Sequence, residues 1–163
     1  MCIRDRFTGS IKSNIKFGKR KASHEEMVHS AKVAQAYDFI NKKEKKFDEP
    51  IGEGGSNVSG GQKQRLSIAR ALVRKPEIYI FDDSFSALDF KTDAILRAEL
   101  KKETTHAIVL IVAQRIGSIM DADKIIVLDE GNVVGIGKHK ELLKTCSVYK
   151  EIALSQLTEE ELA

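Results

Sequence analysis

Residues 57–65, NVSGGQKQR, place a hydroxyl, two adjacent glycines and an amide directly before a helix-like run, LSIARALVRK. Glycines weaken a helix start, because each loses more backbone freedom on ordering than any other residue. Ser59 and Gln62 have the S-x-x-Q spacing of a capping box, which makes Ser59 the expected N-cap. Such a helix start offers free backbone N–H groups, the positive end of the dipole and a hydroxyl. Gly60 and Gly61 let a large anion approach the backbone with no Cβ in the way. The set is suited to cradle phosphate, and it also fits an ordinary loop-to-helix cap.

A second stretch bears on that choice. IYIFDD (78–83) is an apolar run ending in two carboxylates, Asp82 and Asp83. In a parallel α/β sheet, ligands bind beyond the carboxyl ends of the strands. A strand-terminal aspartate is how P-loop nucleotide hydrolases hold Mg²⁺ beside the phosphates. Alone, the pair also fits a solvated turn. Its place between SGGQ and SFSALD favours the metal role.

The elements that must position these residues alternate. Ser23 and Glu26 form a first capping box, and the apolar residues of EEMVHSAKVAQAYDFI recur at helical spacing, predicting a helix over roughly 24–37. The Gly-rich loop DEPIGEGGSN (48–57) separates it from the helix capped by Ser59, which should stop near Arg74 ahead of Pro76. EIYIFDD (77–83), AIVLIVA (107–113) and DKIIVLDE (123–130) read as strands buried on both faces of a parallel sheet. KTDAILRAELKKET (91–104) is an amphipathic helix between the first two. GNVVGIGK (131–138) reads as an edge strand after a turn, followed by two C-terminal helices. The fold class is α/β in three layers.

The 163 residues suit one domain, and 42% hydrophobic with 31% charged residues is an ordinary globular balance. A net charge of +3 is too small to argue for nucleic acid. The basic clusters GKRK (18–21) and NKKEKK (41–46) contain no aromatics for base stacking, and read as solvated surface. Cys2 and Cys146 are far apart and outside metal-ligand spacing, which fits a reducing compartment. The longest apolar run, AIVLIVA, is far short of a membrane span.

On these motifs the chain resembles a known family. VSGGQKQRLSIARALVRKPEIYIFDDSFSALD (58–89) is similar to the signature, Walker B and D-loop of an ATP-binding cassette ATPase. FTGSIKSNIKFG (7–18) resembles the segment after the Q-loop of exporters, and EPIGEGG (49–55) resembles their loop that touches the transmembrane coupling helices. IVAQRI (111–116) occupies the switch-histidine segment, and DADKIIVLDEGNVVGIGKHKELL resembles the closing strands. The resemblance implies a P-loop NTPase core with parallel sheet plus the family's helical subdomain. It implies ATP and Mg²⁺ as cofactors. Ser59, Gly60, Gly61 and Gln62 would contact the γ-phosphate of ATP held by a second nucleotide-binding domain, in a hetero- or homodimer. Asp82 would hold Mg²⁺, and Ser86, Ala87, Leu88 and Asp89 would form the D-loop crossing the dimer interface. The loop 49–55 would meet a transmembrane domain, placing the protein at the cytoplasmic face of a cell membrane.

Departures from the family pattern carry further expectations. No G-x-x-x-x-G-K-[ST] occurs, nor the adenine-stacking aromatic strand before it, so the similarity begins partway through the domain. Residues 1–6 have no counterpart, and Cys2 falls where the Q-loop glutamine belongs. The chain is thus expected to be the C-terminal part, 7–163, of one ATPase domain. About 7–75 would form the helical signature subdomain, and about 76–163 would hold Walker B, the D-loop, the switch segment and the C-terminal helices. Asp83 stands where active members carry the catalytic glutamate, which shortens the reach by about 1.5 Å. Gln114 stands where the switch histidine belongs, and cannot carry a positive charge. Both changes fall on the chain's own site, while the signature serving the partner is intact. This pattern resembles the degenerate-site half of a heterodimeric exporter. On its own the chain is expected to be inactive. Two other functions compete: a soluble cassette ATPase acting on nucleic acid or ribosomes, and a regulatory module that holds ATP without hydrolysing it. The exporter-like loops and the missing basic, aromatic surface argue against the first.

Overall fold

Local capping sets where the helices begin. A computed structural model describes residues 8–158, and the expectations for residues 1–6 and Cys2 lie outside them. The chain divides into two units, Met1–Leu110 and Ile111–Ala163. In the first, Ser23 and Glu26 close their capping box at the head of α2 (His24–Val33). The predicted helix over 24–37 is shorter than expected. Gln35 takes a left-handed conformation, φ 55°. Its N–H bonds the Lys32 carbonyl, and the Ala36 N–H reaches back to Ala31. That is a Schellman closure with glutamine in the position usually held by glycine. The chain then restarts as α3 (Tyr37–Asn41).

Three elements in this unit go beyond the sequence pattern. β1 (Gly9–Ser10) pairs antiparallel with β2 (Pro50–Ile51), and α1 (Ile11–Lys16) starts at a Ser10 cap. α1 and α2 pack on α4 (Gly60–Leu72), burying Ile11, Ile15, Met27, Ala31, Leu66 and Ala69. The buried Arg70 guanidinium is held by Asn14, with Nε donating to its carbonyl and Nη2 to Oδ1, both at 2.9 Å. Burial pushes the Arg70 guanidinium below its usual pKa.

β3 (Ile78–Asp82), α5 (Phe90–Glu103) and β4 (Ile108–Val112) follow, with β3 paired to β4. The α5 crossover is the type of connection that parallel neighbours require. Burial on both faces, as the apolar runs predict, is not what these strands show. Tyr79 and Phe81 are buried, while Ile78 and Ile80 are 54% and 68% exposed. Ile108, Leu110 and Val112 are exposed likewise. Side chains alternate along a strand, so one face of this pair is covered and the other is bare.

In the second unit β5 (Ile125–Asp129) and β6 (Asn132–Gly137) form an antiparallel hairpin. Its two-residue turn, Glu130 at φ 45° and Gly131 at φ 80°, is of the primed kind that matches strand twist. α6 (His139–Thr145) and α7 (Ser147–Leu154) cover one face, with Ile125, Val127, Leu142, Cys146 and Tyr149 in the core. The other face shows the same departure from two-sided burial, leaving Ile126, Leu128 and Ile136 exposed. Among the described residues no helix is long and apolar enough to cross a membrane.

Candidate functional site

Ser59 caps α4 as its sequence spacing predicts. Its Oγ accepts the Gln62 N–H at 3.2 Å, and Gln62 Oε1 accepts the Ser59 N–H at 3.1 Å. The box uses two donors of the first turn. The N–H groups of Gly60 and Gly61 remain without an intrahelical acceptor, as in the first turn of any helix. A Cβ at Gly60 would meet only Ala87 Cβ, at 3.8 Å, so the backbone there is open to a ligand. Gly61 is glycine for a different reason. A Cβ there would stand 2.9 Å from the Ala87 carbonyl oxygen. The helix start is thus packed directly on the loop that follows β3.

That loop carries the other predicted residues. Asp82 ends β3 and is exposed, and its carbonyl accepts the Ser84 hydroxyl at 3.3 Å. Asp83 follows in a left-handed conformation, φ 46°, with Ser86 Oγ 3.0 Å from its Oδ2. Phe85 and Leu88 bury their side chains, Phe85 against Phe81 at 5.4 Å between ring centroids, while Ser86 and Ala87 are exposed. Asp89 caps α5, accepting the Thr92 N–H at 2.9 Å and its hydroxyl at 2.7 Å. Those two bonds, backbone first, hold the Asp89 carboxyl below its usual pKa. The first unit therefore brings Ser59–Gln62, Asp82, Asp83 and Ser86–Asp89 onto neighbouring elements. Gln114 belongs to the second unit. It is exposed, and Gln156 brackets its segment, donating to the Gln114 carbonyl at 2.8 Å and accepting the Ile116 N–H at 2.9 Å.

Sequence reasoning misses the residues that hold these parts in place. Asn57 pins the loop before α4, accepting from Gly52 N–H at 2.9 Å and donating to the Pro50 carbonyl at 2.8 Å. Lys63 Nζ donates to the Gly54 carbonyl at 2.7 Å. Arg65 reaches the Gln35 carbonyl at 2.8 Å and lies over the Phe39 ring, and burial pushes its guanidinium below the usual pKa. Gln64 faces the loop after β3; its position three residues after Gly61, on the same helix face, is the signal that points to it.

The residues present suit a nucleotide phosphate and Mg²⁺. An uncluttered glycine backbone at a helix start favours a phosphate oxygen. A single strand-end carboxylate, Asp82, suits Mg²⁺, an ion that keeps several waters and takes one or two carboxylates. Known proteins are similar to this chain in sequence and fold. Residues 4–86 match the family model described as ABC transporter. The ABC transporter ATP-binding protein YfiB of Bacillus subtilis (strain 168) is 46% identical over 154 residues, 94% of this chain and 26% of that protein. ATP-binding cassette sub-family B member 5 of Mus musculus is 42% identical over 150 residues, 92% of this chain and 12% of that protein. A bacterial Atm1-family ABC exporter solved with ATP bound superposes with a TM-score of 0.88 at 37% identity, covering 94% of this chain and 27% of its own. The chain thus spans about a quarter of the length of YfiB and of that exporter.

Proposed function

We propose, from the premise that the chain belongs to the ABC transporter family, that it forms part of the nucleotide-binding domain of an exporter. Its work is to couple ATP binding and hydrolysis to transport. The observation that carries this reading is the start of α4, a serine-capped helix end with open space beside Gly60, packed through Gly61 on the loop after the β3 carboxylates. The likeness to sub-family B member 5 and to the Atm1-family exporter supports the exporter class.

In this reading Gly60 and Gly61 donate N–H groups to the γ-phosphate of ATP held on a second nucleotide-binding domain, and the helix dipole offsets its charge. Asp82 holds Mg²⁺, which neutralises phosphate charge when bound. Asp83 orients water from a shorter side chain than glutamate, and Gln114 hydrogen-bonds without a cationic form. The chain's own site is therefore slow, and its signature serves the faster site of the partner. Ser86–Asp89 meets the partner at the dimer interface. Loop 49–55, braced by Asn57 and tied to α4 through Lys63, meets the transmembrane domain at the cytoplasmic face of the membrane.

The test is steady-state phosphate release by the protein expressed from its complete reading frame and assembled with its partner. Ser59→Arg removes the capping hydroxyl and fills the phosphate approach, lowering turnover by about 100-fold. Asp83→Asn changes it by less than about threefold, on the same scale of geometric effects. Asp83→Glu with Gln114→His raises turnover. Equal damage from Asp83→Asn and Ser59→Arg would overturn the asymmetric assignment.

A further inference from the structure

Gln64 lies in α4, and its side chain is 5% exposed. Both ends of its amide engage the loop after β3. Oε1 accepts the Ala87 N–H at 3.0 Å, and Nε2 donates to the Asp83 carbonyl at 3.3 Å and to Ser86 Oγ at 3.4 Å. Ser86 Oγ in turn stands 3.2 Å from the Asp83 carbonyl and 3.0 Å from Asp83 Oδ2. A hydroxyl has one proton and two lone pairs. With Nε2 occupying one lone pair and also bonded to the Asp83 carbonyl, the hydroxyl proton is directed to the carboxylate. The contacts run from a helix side chain, through one hydroxyl, to the carboxylate that follows β3.

Packing alone does not explain an amide here. A buried amide is costly unless its atoms are bonded, and leucine fills nearly the same volume without that demand. Asp83 also holds a left-handed backbone, φ 46°, which a non-glycine residue keeps only where its surroundings over-determine it. Gln64 and Ser86 supply part of that restraint.

We propose that Gln64 is a positioning residue for ATP hydrolysis. It locks the Asp83–Asp89 loop to the signature helix start that serves the partner's site, through the Ala87 N–H, the Asp83 carbonyl and the Ser86 hydroxyl. The proposal rests on the nucleotide reading given above. The phosphate-facing helix start and the loop shared with the partner then move as one body, and loss of the clamp is felt at both ATP sites of the dimer.

Gln64→Leu, Gln64→Glu and Ser86→Ala are compared in the complete, partner-assembled protein with two readouts. In amide hydrogen exchange, Gln64→Leu removes the Ala87 acceptor and speeds exchange there about tenfold. Gln64→Glu keeps an acceptor oxygen and leaves it within about threefold. In steady-state ATPase assays both Gln64 variants lose the donors to Asp83 and Ser86. Their kcat falls about 10- to 100-fold while KM for Mg-ATP stays within about twofold, because the unlocked loop misplaces the signature helix start at the partner's site. Asp83→Asn keeps the Asp83 carbonyl that Gln64 bonds, and so spares this clamp. Gln64→Leu combined with Ser86→Ala costs little more than either alone, because both break one chain of contacts. Unchanged Ala87 exchange in Gln64→Leu, full activity in Gln64→Glu, or multiplicative losses in the double variant would overturn the proposal. An unsubstituted complex without ATPase activity overturns the nucleotide reading instead, and the exchange readout separates the two because it needs no turnover.

Discussion

Gly60 and Gly61 are chain neighbours with different tolerances for a methyl group. A Cβ at Gly60 meets Ala87 Cβ at 3.8 Å, an ordinary contact. A Cβ at Gly61 would stand 2.9 Å from the Ala87 carbonyl oxygen and 3.6 Å from Leu88 Cδ2. The nearest atom is backbone, and Gln64 restrains it through the Ala87 N–H. Relief therefore needs a loop shift of about 0.5 Å, an overpacking that costs ~1–3 kcal/mol. Replacing glycine by alanine within a helix returns ~0.5–1 kcal/mol. Gly61→Ala is then destabilising by about 0–2.5 kcal/mol, and Gly60→Ala is neutral or stabilising by up to ~1 kcal/mol. At ~2–4 °C per kcal/mol for a domain of this size, the two midpoints separate by several degrees. Scanning calorimetry of this domain's transition in the complete protein reads the difference. Equal midpoints, or a lower one for Gly60→Ala, would refute the packing of α4 on the loop after β3.

Other outcomes follow from the bare strand faces and the Asp89 cap. Produced alone, the 163-residue chain is expected to self-associate through the exposed Ile78, Ile80, Ile108 and Leu110, as light scattering would show. A monodisperse monomer with a sharp thermal transition contradicts this. The same chain is expected to bind Mg-ATP weakly in calorimetric titration, since its sequence holds no phosphate loop, and saturable micromolar binding contradicts it. Asp89 has a depressed folded-state pKa, so its stabilisation is present above the unfolded value of about 4 and is lost as pH falls through the folded one. The stability gap between the parent and Asp89→Asn should therefore narrow on acidification from about pH 5 to about pH 3, measured by urea midpoints, and a constant gap contradicts the assignment.

Local signals make much of this fold legible. The capping boxes at Ser23 and Ser59 need only residues three apart, and both close as their spacing predicts. The break at Gln35 carries no Gly or Pro, because tertiary contacts, including the Arg65 bond to its carbonyl, support the turn. One-sided burial is invisible in runs such as AIVLIVA, since an apolar strand reads the same whether one face or both are covered. Contiguous motifs, Ser59–Gln62 and Ser86–Asp89, stand out in sequence. Gln64 is marked only by its place on the helix face of Gly61, and its partners lie in a loop some twenty residues away that only folding brings to it.

The central claim is that the start of α4 receives a γ-phosphate. Amide hydrogen exchange at Gly60 and Gly61 tests it most directly, in the complete protein assembled with its partner. A non-hydrolysable ATP analogue with Mg²⁺ should slow exchange at both amides by about tenfold, the effect of one added hydrogen bond each, while ADP leaves them unchanged. Equal protection by ADP and the analogue, or none by either, would contradict the account.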